Sequence, residues 1–221
     1  MLNRILRQLK KNLGEHNNII GKERKYRNAA VLIPIVEVNK EVHMLFQVRA
    51  DHIRQGGEIS FPGGMVEEED GGDYQATAVR ETVEELGISK NNIEVISYLG
   101  TYVAGYDVTI EVYVGVLDIK NIEALPLSEE VASVFTVPLK WLDQVRPETH
   151  YIDMQIQPRF VDEEGDEVVL LDAKSLGLSD RYEKPYKNKK RKLYFYRYEA
   201  HTIWGMTGEI LFEFLAILKN E

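Results

Sequence analysis

The sequence contains no cysteine, which excludes disulfides and thiolate metal sites and suits a reducing compartment, so a cytoplasmic location is expected. No apolar run reaches the ~18 residues that a membrane-spanning helix needs, so no membrane partner is expected. The opening stretch MLNRILRQLKKNL is basic but lacks a continuous apolar block, so it does not read as a secretory leader. Positive charge is in deficit. The 27 Lys and Arg residues stand against 36 Asp and Glu, a net charge of −9, and that balance disfavours nucleic acid as a general partner. The five histidines (His16, His43, His52, His150 and His201) show no zinc-ligand spacing. No internal repeat is present, and strands and helices do not alternate as a doubly wound fold would require.

The 221 residues suit a single domain over 1–221 with elaborations, of α/β class. Leu2, Ile5, Leu6, Leu9 and Leu13 recur at helical spacing, predicting an amphipathic helix over 2–13 that docks on the domain or on a second subunit in a homodimer. AAVLIPIVEV (29–38) is a buried strand, turned at Asn39-Lys40 into HMLFQVR (43–49). Further strands are expected near 93–103, 109–118 and 131–137, and Pro138 then opens a short helix. A core over about 28–145 precedes an elaboration over about 146–200. That elaboration carries a hairpin turning at Glu164-Gly165, a basic run KPYKNKKRK (184–192) and a strand LYFYRY (193–198). A helix over 202–219 closes the chain, and Trp204 is expected in the core.

The chemistry concentrates in residues 63–88, GGMVEEEDGGDYQATAVRETVEELGI. A glycine pair leads through an acidic loop into a helix on which Glu81, Glu84 and Glu85 fall within a ~100° arc. Three crowded carboxylates repel one another unless something positive sits among them, and Mg²⁺ or Mn²⁺ takes oxygen ligands of this kind, commonly together with substrate phosphates. Ala76, Val79, Val83 and Leu86 form an apolar stripe for packing on a sheet, while Thr77 and Ala78 leave room for a ligand.

This segment resembles the box of the Nudix hydrolases, with Gly64, Arg80, Glu81, Glu84, Glu85, Gly87 and Ile88 at matching positions. Asp70 or Glu67 fills the slot of a spaced glutamate, the loop is longer than usual, and Thr82 replaces a larger hydrophobe. Upstream, LFQVRADHIRQGGEISFPGG (45–64) resembles the additional signature of the coenzyme A pyrophosphatase branch, although it is shorter between Arg54 and Gly57. EEVASVFTVPLKWL (129–142) and IWGMTGEIL (203–211) resemble the same branch.

The resemblance implies an α/β/α sandwich with a mixed sheet between helices. It implies hydrolysis of a diphosphate in coenzyme A or acyl-coenzyme A, giving (acyl-)phosphopantetheine and adenosine 3′,5′-bisphosphate. Glu81, Glu84 and Glu85 are then the metal ligands together with the Gly63 carbonyl, and Arg80 orients a carboxylate, expected to be Glu84. The general base is a box glutamate such as Glu81, or a later one, Glu129 or Glu130. Arg49 and Arg54 grip substrate phosphates, and Gly63 and Gly64 let the main chain approach them. The rival readings are a hydrolase of ADP-ribose or another nucleoside diphosphate derivative, and a Nudix-like sensor without catalysis. An RNA-directed role through 184–192 is disfavoured by the acidic balance.

Overall fold

The structure, a computed structural model, describes residues 19–105, 107–187 and 190–219; the helix expected over 2–13 lies outside them. The described residues pack as two compact units, one within 1–139 and the other within 140–221.

The first unit is built on a seven-stranded mixed sheet. Strands β1 (Arg27–Val38) and β2 (Glu41–Arg49) form the expected hairpin, with Asn39 and Lys40 both at positive φ (51° and 67°), as a tight two-residue turn demands. The two strands then diverge. Only residues 35–38 of β1 pair with 41–44 of β2, and the gap beyond is filled by the segment carrying β3 (Ile59–Ser60) and β4 (Gly63–Met65). β3 pairs with β2, β4 pairs with β1, and Leu32 N–H donates to the Pro62 carbonyl between them. The glycine pair is thus a central strand, although two glycines and a proline read as loop in the sequence.

On the far side of β1, β6 (Val108–Leu117) runs parallel to it, and β5 (Ile93–Ala104) is antiparallel to β6. β7 (Val131–Pro138) covers the other edge of β2. Pro138 ends that strand and does not open the helix, which runs Leu139–Gln144.

After a single helical turn at Lys22–Lys25 (α1), the principal helix is α2 (Tyr74–Leu86). Asp73 caps its first turn by accepting from the N–H groups of Gln75 and Ala76. Gly87 ends it at φ 63°, where a Cβ would stand 2.2 Å from the Pro126 carbonyl oxygen. Ala78 and Leu86 pack on Ala30, Leu32, Val36, Leu45 and Leu117 of the sheet. The buried face also holds Thr77, Val79, Thr82 and Glu85, while Ala76 and Val83 are only half-buried. Thr77 and Ala78 therefore lie in the interface and leave no room for a ligand. Thr82 is accommodated because its hydroxyl donates to the Ala78 carbonyl at 2.7 Å.

The second unit has a three-stranded antiparallel sheet of β8 (Glu148–Ile152), β13 (Arg191–Tyr198) and β14 (His201–Ile203). The final helix runs Gly205–Leu218, since 201–203 is strand. It sits close on β13, where a Cβ at Gly208 would come within 2.7 Å of the Tyr194 carbonyl oxygen. The hairpin at Gly165 is present, between β10 (Arg159–Val161) and β11 (Glu167–Val169), and β9 (Gln155–Ile156) pairs with β12 (Tyr186–Lys187). Trp204 is 40% exposed and stacks on Phe195, so it is no core residue. Within the basic run, Arg191 forms an ion pair with Glu209 at 3.0 Å, and residues 188 and 189 lie outside the described set. No helix among the described residues is long and apolar enough to cross a membrane.

Candidate active site

The acidic loop 67–73 is organised by Asp70. It closes a single 3₁₀ turn (Glu68–Asp70), where its Oδ2 accepts the Glu67 N–H at 2.9 Å and the Thr77 hydroxyl at 2.9 Å. Arg80 then meets it with a two-pronged fork, Nε to Oδ1 at 3.0 Å and Nη2 to Oδ2 at 3.1 Å. These hydrogen bonds from Arg80 outweigh burial and hold the Asp70 carboxyl well below the usual carboxylate range. Of Asp70 and Glu67, it is Asp70 that bonds the helix arginine.

Arg80 is the hub of the site. Beyond Asp70, its Nη1 donates to Glu81 at 3.0 Å and to Glu84 at 3.2 Å, and its Nη2 to the Met65 carbonyl at 3.2 Å. The partner expected from the sequence, Glu84, receives one of these bonds; the bidentate grip belongs to Asp70.

The three box glutamates differ in environment. Glu84 is exposed. Glu81 is half-buried, and that burial raises its pKa against the pull of Arg80, with Glu84 and Glu67 adding like charge. Glu85 is only 5% exposed, turned into the interface between helix and sheet. There its Oε2 accepts the Gly63 N–H at 2.9 Å. Burial pushes its carboxyl up to about 7, although the Gly63 N–H, the nearby Gln47 amide and the charge of Arg49 all favour the ionised form.

The glycines make this arrangement physically feasible. A Cβ at Gly64 would lie 2.2 Å from Glu81 Oε1, so only a residue without a side chain leaves space for that carboxylate. Gly63 has φ 154°, and its Cβ would come 2.4 Å from the Ala30 carbonyl oxygen, so glycine is needed there for β4 to lie against β1.

Arg49 ends β2 and donates through Nε to the Arg54 carbonyl at 3.2 Å, bracing the 50–57 loop, while the Arg54 side chain is exposed. Ala50 N–H donates to the Glu130 carbonyl, which brings the Glu129-Glu130 turn to the same end of β2, with both side chains exposed. The structure thus gathers Arg80, Glu81, Glu84, Glu85, Gly63 and Gly64 directly. Arg49 adjoins them through its charge on Glu85, and Arg54 and Glu130 connect to Arg49 and Ala50 through their backbone carbonyls. The sequence reading missed Gln47, the last residue of HMLFQ, which carries no chemical signature there.

Among the described residues, no three Asp, Glu or His side chains stand close enough together to hold an ion. Arg80 supplies the positive charge between Glu81 and Glu84. The donor set nonetheless fits a hard divalent cation. It offers oxygen donors only, and two of the carboxyls are raised first by burial and then by like charge that a cation relieves, Glu81 by Glu84 and Glu67 and Glu85 by Glu81.

A NUDIX domain profile matches residues 25–160. The chain is 38% identical over 123 residues to the peroxisomal coenzyme A diphosphatase NUDT7 of Mus musculus, covering 55% of this chain and 50% of that protein. It is 34% identical over 131 residues to the peroxisomal coenzyme A diphosphatase ndx-8 of Caenorhabditis elegans, covering 58% of this chain and 56% of that protein. Over a longer span, 84% of this chain and 81% of the relative, it is 26% identical to the Nudix hydrolase NudL of Photorhabdus laumondii. The chain thus spans about half the length of the mouse and nematode proteins it matches.

Proposed function

The chain belongs to the Nudix hydrolase family, and on that footing we propose that it hydrolyses the diphosphate of coenzyme A or acyl-coenzyme A to (acyl-)phosphopantetheine and adenosine 3′,5′-bisphosphate. One observation carries the substrate assignment. Segment 45–64, which bears the coenzyme A-type signature, is wedged into the sheet against the box, so that Gly63 bonds Glu85 and the charge of Arg49 reaches the same carboxylate. The names of the mouse and nematode relatives agree with it.

In this reading Glu81, Glu84, Glu85 and the Gly63 carbonyl hold Mg²⁺ or Mn²⁺. When bound, such a cation neutralises diphosphate oxygens and acidifies water. Arg80 keeps Glu81 and Glu84 at hand and, through Asp70, ties the helix to the acidic loop. Arg49 and Arg54 take the anionic end of the substrate, for which guanidinium groups are suited. A water oxygen bonds to one phosphorus as the bridging P–O bond breaks, and the water proton passes to a carboxylate, Glu81 or Glu130. Two of the relatives are named as peroxisomal proteins, so the lack of cysteine does not by itself assign this chain to the cytoplasm.

The test is to incubate the chain with coenzyme A, acetyl-coenzyme A, ADP-ribose and a nucleotide sugar in Mg²⁺ or Mn²⁺, and to identify products by mass. Adenosine 3′,5′-bisphosphate from coenzyme A supports the proposal. Cleavage of ADP-ribose with coenzyme A untouched overturns the substrate, and no cleavage of any of them leaves a binding module.

A further inference from the structure

The three-stranded sheet of the second unit has one face covered and the other largely exposed. Side chains alternate across a strand, and the Tyr194 ring of β13 stacks on Phe212 of the final helix at 3.9 Å, with Tyr196 buried on the same side. Phe195 and Arg197 therefore face the other way. On that face a row of rings crosses the three strands. His150 of β8 meets Phe195 edge-on at 5.2 Å, and Phe195 stacks at 5.5 Å on Trp204, which continues β14 in extended conformation. Both ends of the row, His150 and Trp204, are exposed. Beside it Arg197 donates through Nε to Glu148 Oε1 at 2.8 Å and through Nη2 to Oε2 at 3.3 Å, and this ion pair is exposed too.

Single apolar side chains at a surface are ordinary, but rings packed on one another in solvent form a patch suited to a partner. The charge on the face selects which partner. Glu148 and Arg197 cancel, so a nucleotide or a nucleic acid finds no net attraction there. One positive and one negative group side by side are instead self-complementary, as a contact between identical copies requires. A two-fold axis lying in the plane of the contact, between the two groups, sets each over its opposite in a second copy. The same axis lays the Phe195–Trp204 stack against its own image. We propose that this face binds a second copy of the chain, with the ring row at the centre of the contact and the Glu148–Arg197 pairs matching across it. Aromatic side chains commonly dominate such centres. Three short strands present a small area, so the dimer dissociates on dilution.

The experiment is sedimentation velocity on the full chain over a dilution series reaching ~0.1 mM. The parent should pass from monomer to dimer as concentration rises. Trp204→Ser should weaken the dimer by ~30-fold or more, as truncation of a central aromatic does. Glu148→Arg and Arg197→Glu each leave two like charges on the face, and each alone should be monomeric. Little stability rests on an exposed ion pair, so both variants should fold. Mixed in equal parts, they should dimerise again at the concentration at which the parent does, because every charge then meets its opposite. That recovery distinguishes a contact from damage to the fold, which mixing does not repair. A parent chain that stays monomeric throughout overturns the proposal. A dimer that survives all three substitutions overturns it by placing the contact on another surface, such as the apolar side of 2–13. Charge variants that remain monomeric when mixed overturn it as well.

Discussion

Arg80 and Asp70 are joined by two hydrogen bonds, at 3.0 and 3.1 Å, and Asp70 is 8% exposed. This pair fastens the acidic loop to α2 from inside: removing Arg80 leaves Asp70 a buried charge without a cation, and removing Asp70 leaves Arg80 only its single bonds to Glu81 and Glu84. Asp70→Asn keeps the shape but not the charge, and should cost about 3 kcal/mol of stability by denaturant unfolding. An unfolding midpoint equal to that of the parent would mean that Glu81 and Glu84 suffice to balance Arg80.

Neighbouring glycines should fail in different ways. Gly64→Ala would collide only with the end of the Glu81 side chain, which can swing away, so the fold should survive. Displacing that carboxylate by an ångström or more should lower kcat on the order of 100-fold at saturating metal. Gly63→Ala would collide with the backbone of β1 and would require a φ hostile to side chains, so it should unfold the unit. Circular dichroism and kcat on the two variants separate these outcomes.

Glu84→Gln and Glu85→Gln should each reduce turnover by at least ~100-fold without unfolding the chain. Mn²⁺ or Mg²⁺ should raise the melting temperature of the parent chain by mass action, and EDTA should abolish that rise. Near-native rates in both variants at saturating metal would remove α2 from the site.

Arg49→Ala should raise KM for coenzyme A more than it lowers kcat, the signature of lost uniform binding. Dephospho-coenzyme A lacks only the 3′-phosphate and serves as the control. A penalty confined to coenzyme A places Arg49 on that phosphate, and equal penalties place it on the diphosphate. No change on either would dissociate the upstream segment from substrate binding.

Away from the site, Glu111 is 4% exposed on β6 and accepts hydrogen bonds from Lys22, Tyr98 and Thr101. Burial pushes its carboxyl up, but these bonds outweigh burial and leave it below the usual range. A depressed carboxyl contributes stability above its unfolded pKa and loses it as pH falls through the folded value. Glu111→Gln should therefore destabilise the chain at neutral pH and flatten the decline of stability on the acid side. Parallel stability-versus-pH curves for variant and parent would refute the assignment.

What could be read from the residues alone was local. Asp73, Gly87 and the spacing between them define α2, since capping and periodicity act within a turn. Arg80, Glu81, Glu84 and Glu85 were legible for the same reason, as was the Asn39-Lys40 turn. β8 was missed because Glu148–Ile152 carries no apolar alternation and is exposed throughout; its strand form comes from pairing with β13. Only the tertiary structure decided which box glutamate is buried. Helical spacing makes Glu81, Glu84 and Glu85 near-equivalents, but the divergence of β1 from β2 opens the gap that Gly63 fills, and that gap draws Glu85 inward while Glu84 stays in solvent. The choice of Asp70 as the partner of Arg80 arises in the same way. Gly63 and Glu85 meet from distant parts of the chain, and burial, which sets a carboxylate's pKa and a polar group's need for partners, is a property of what folds over a residue and not of its neighbours in sequence.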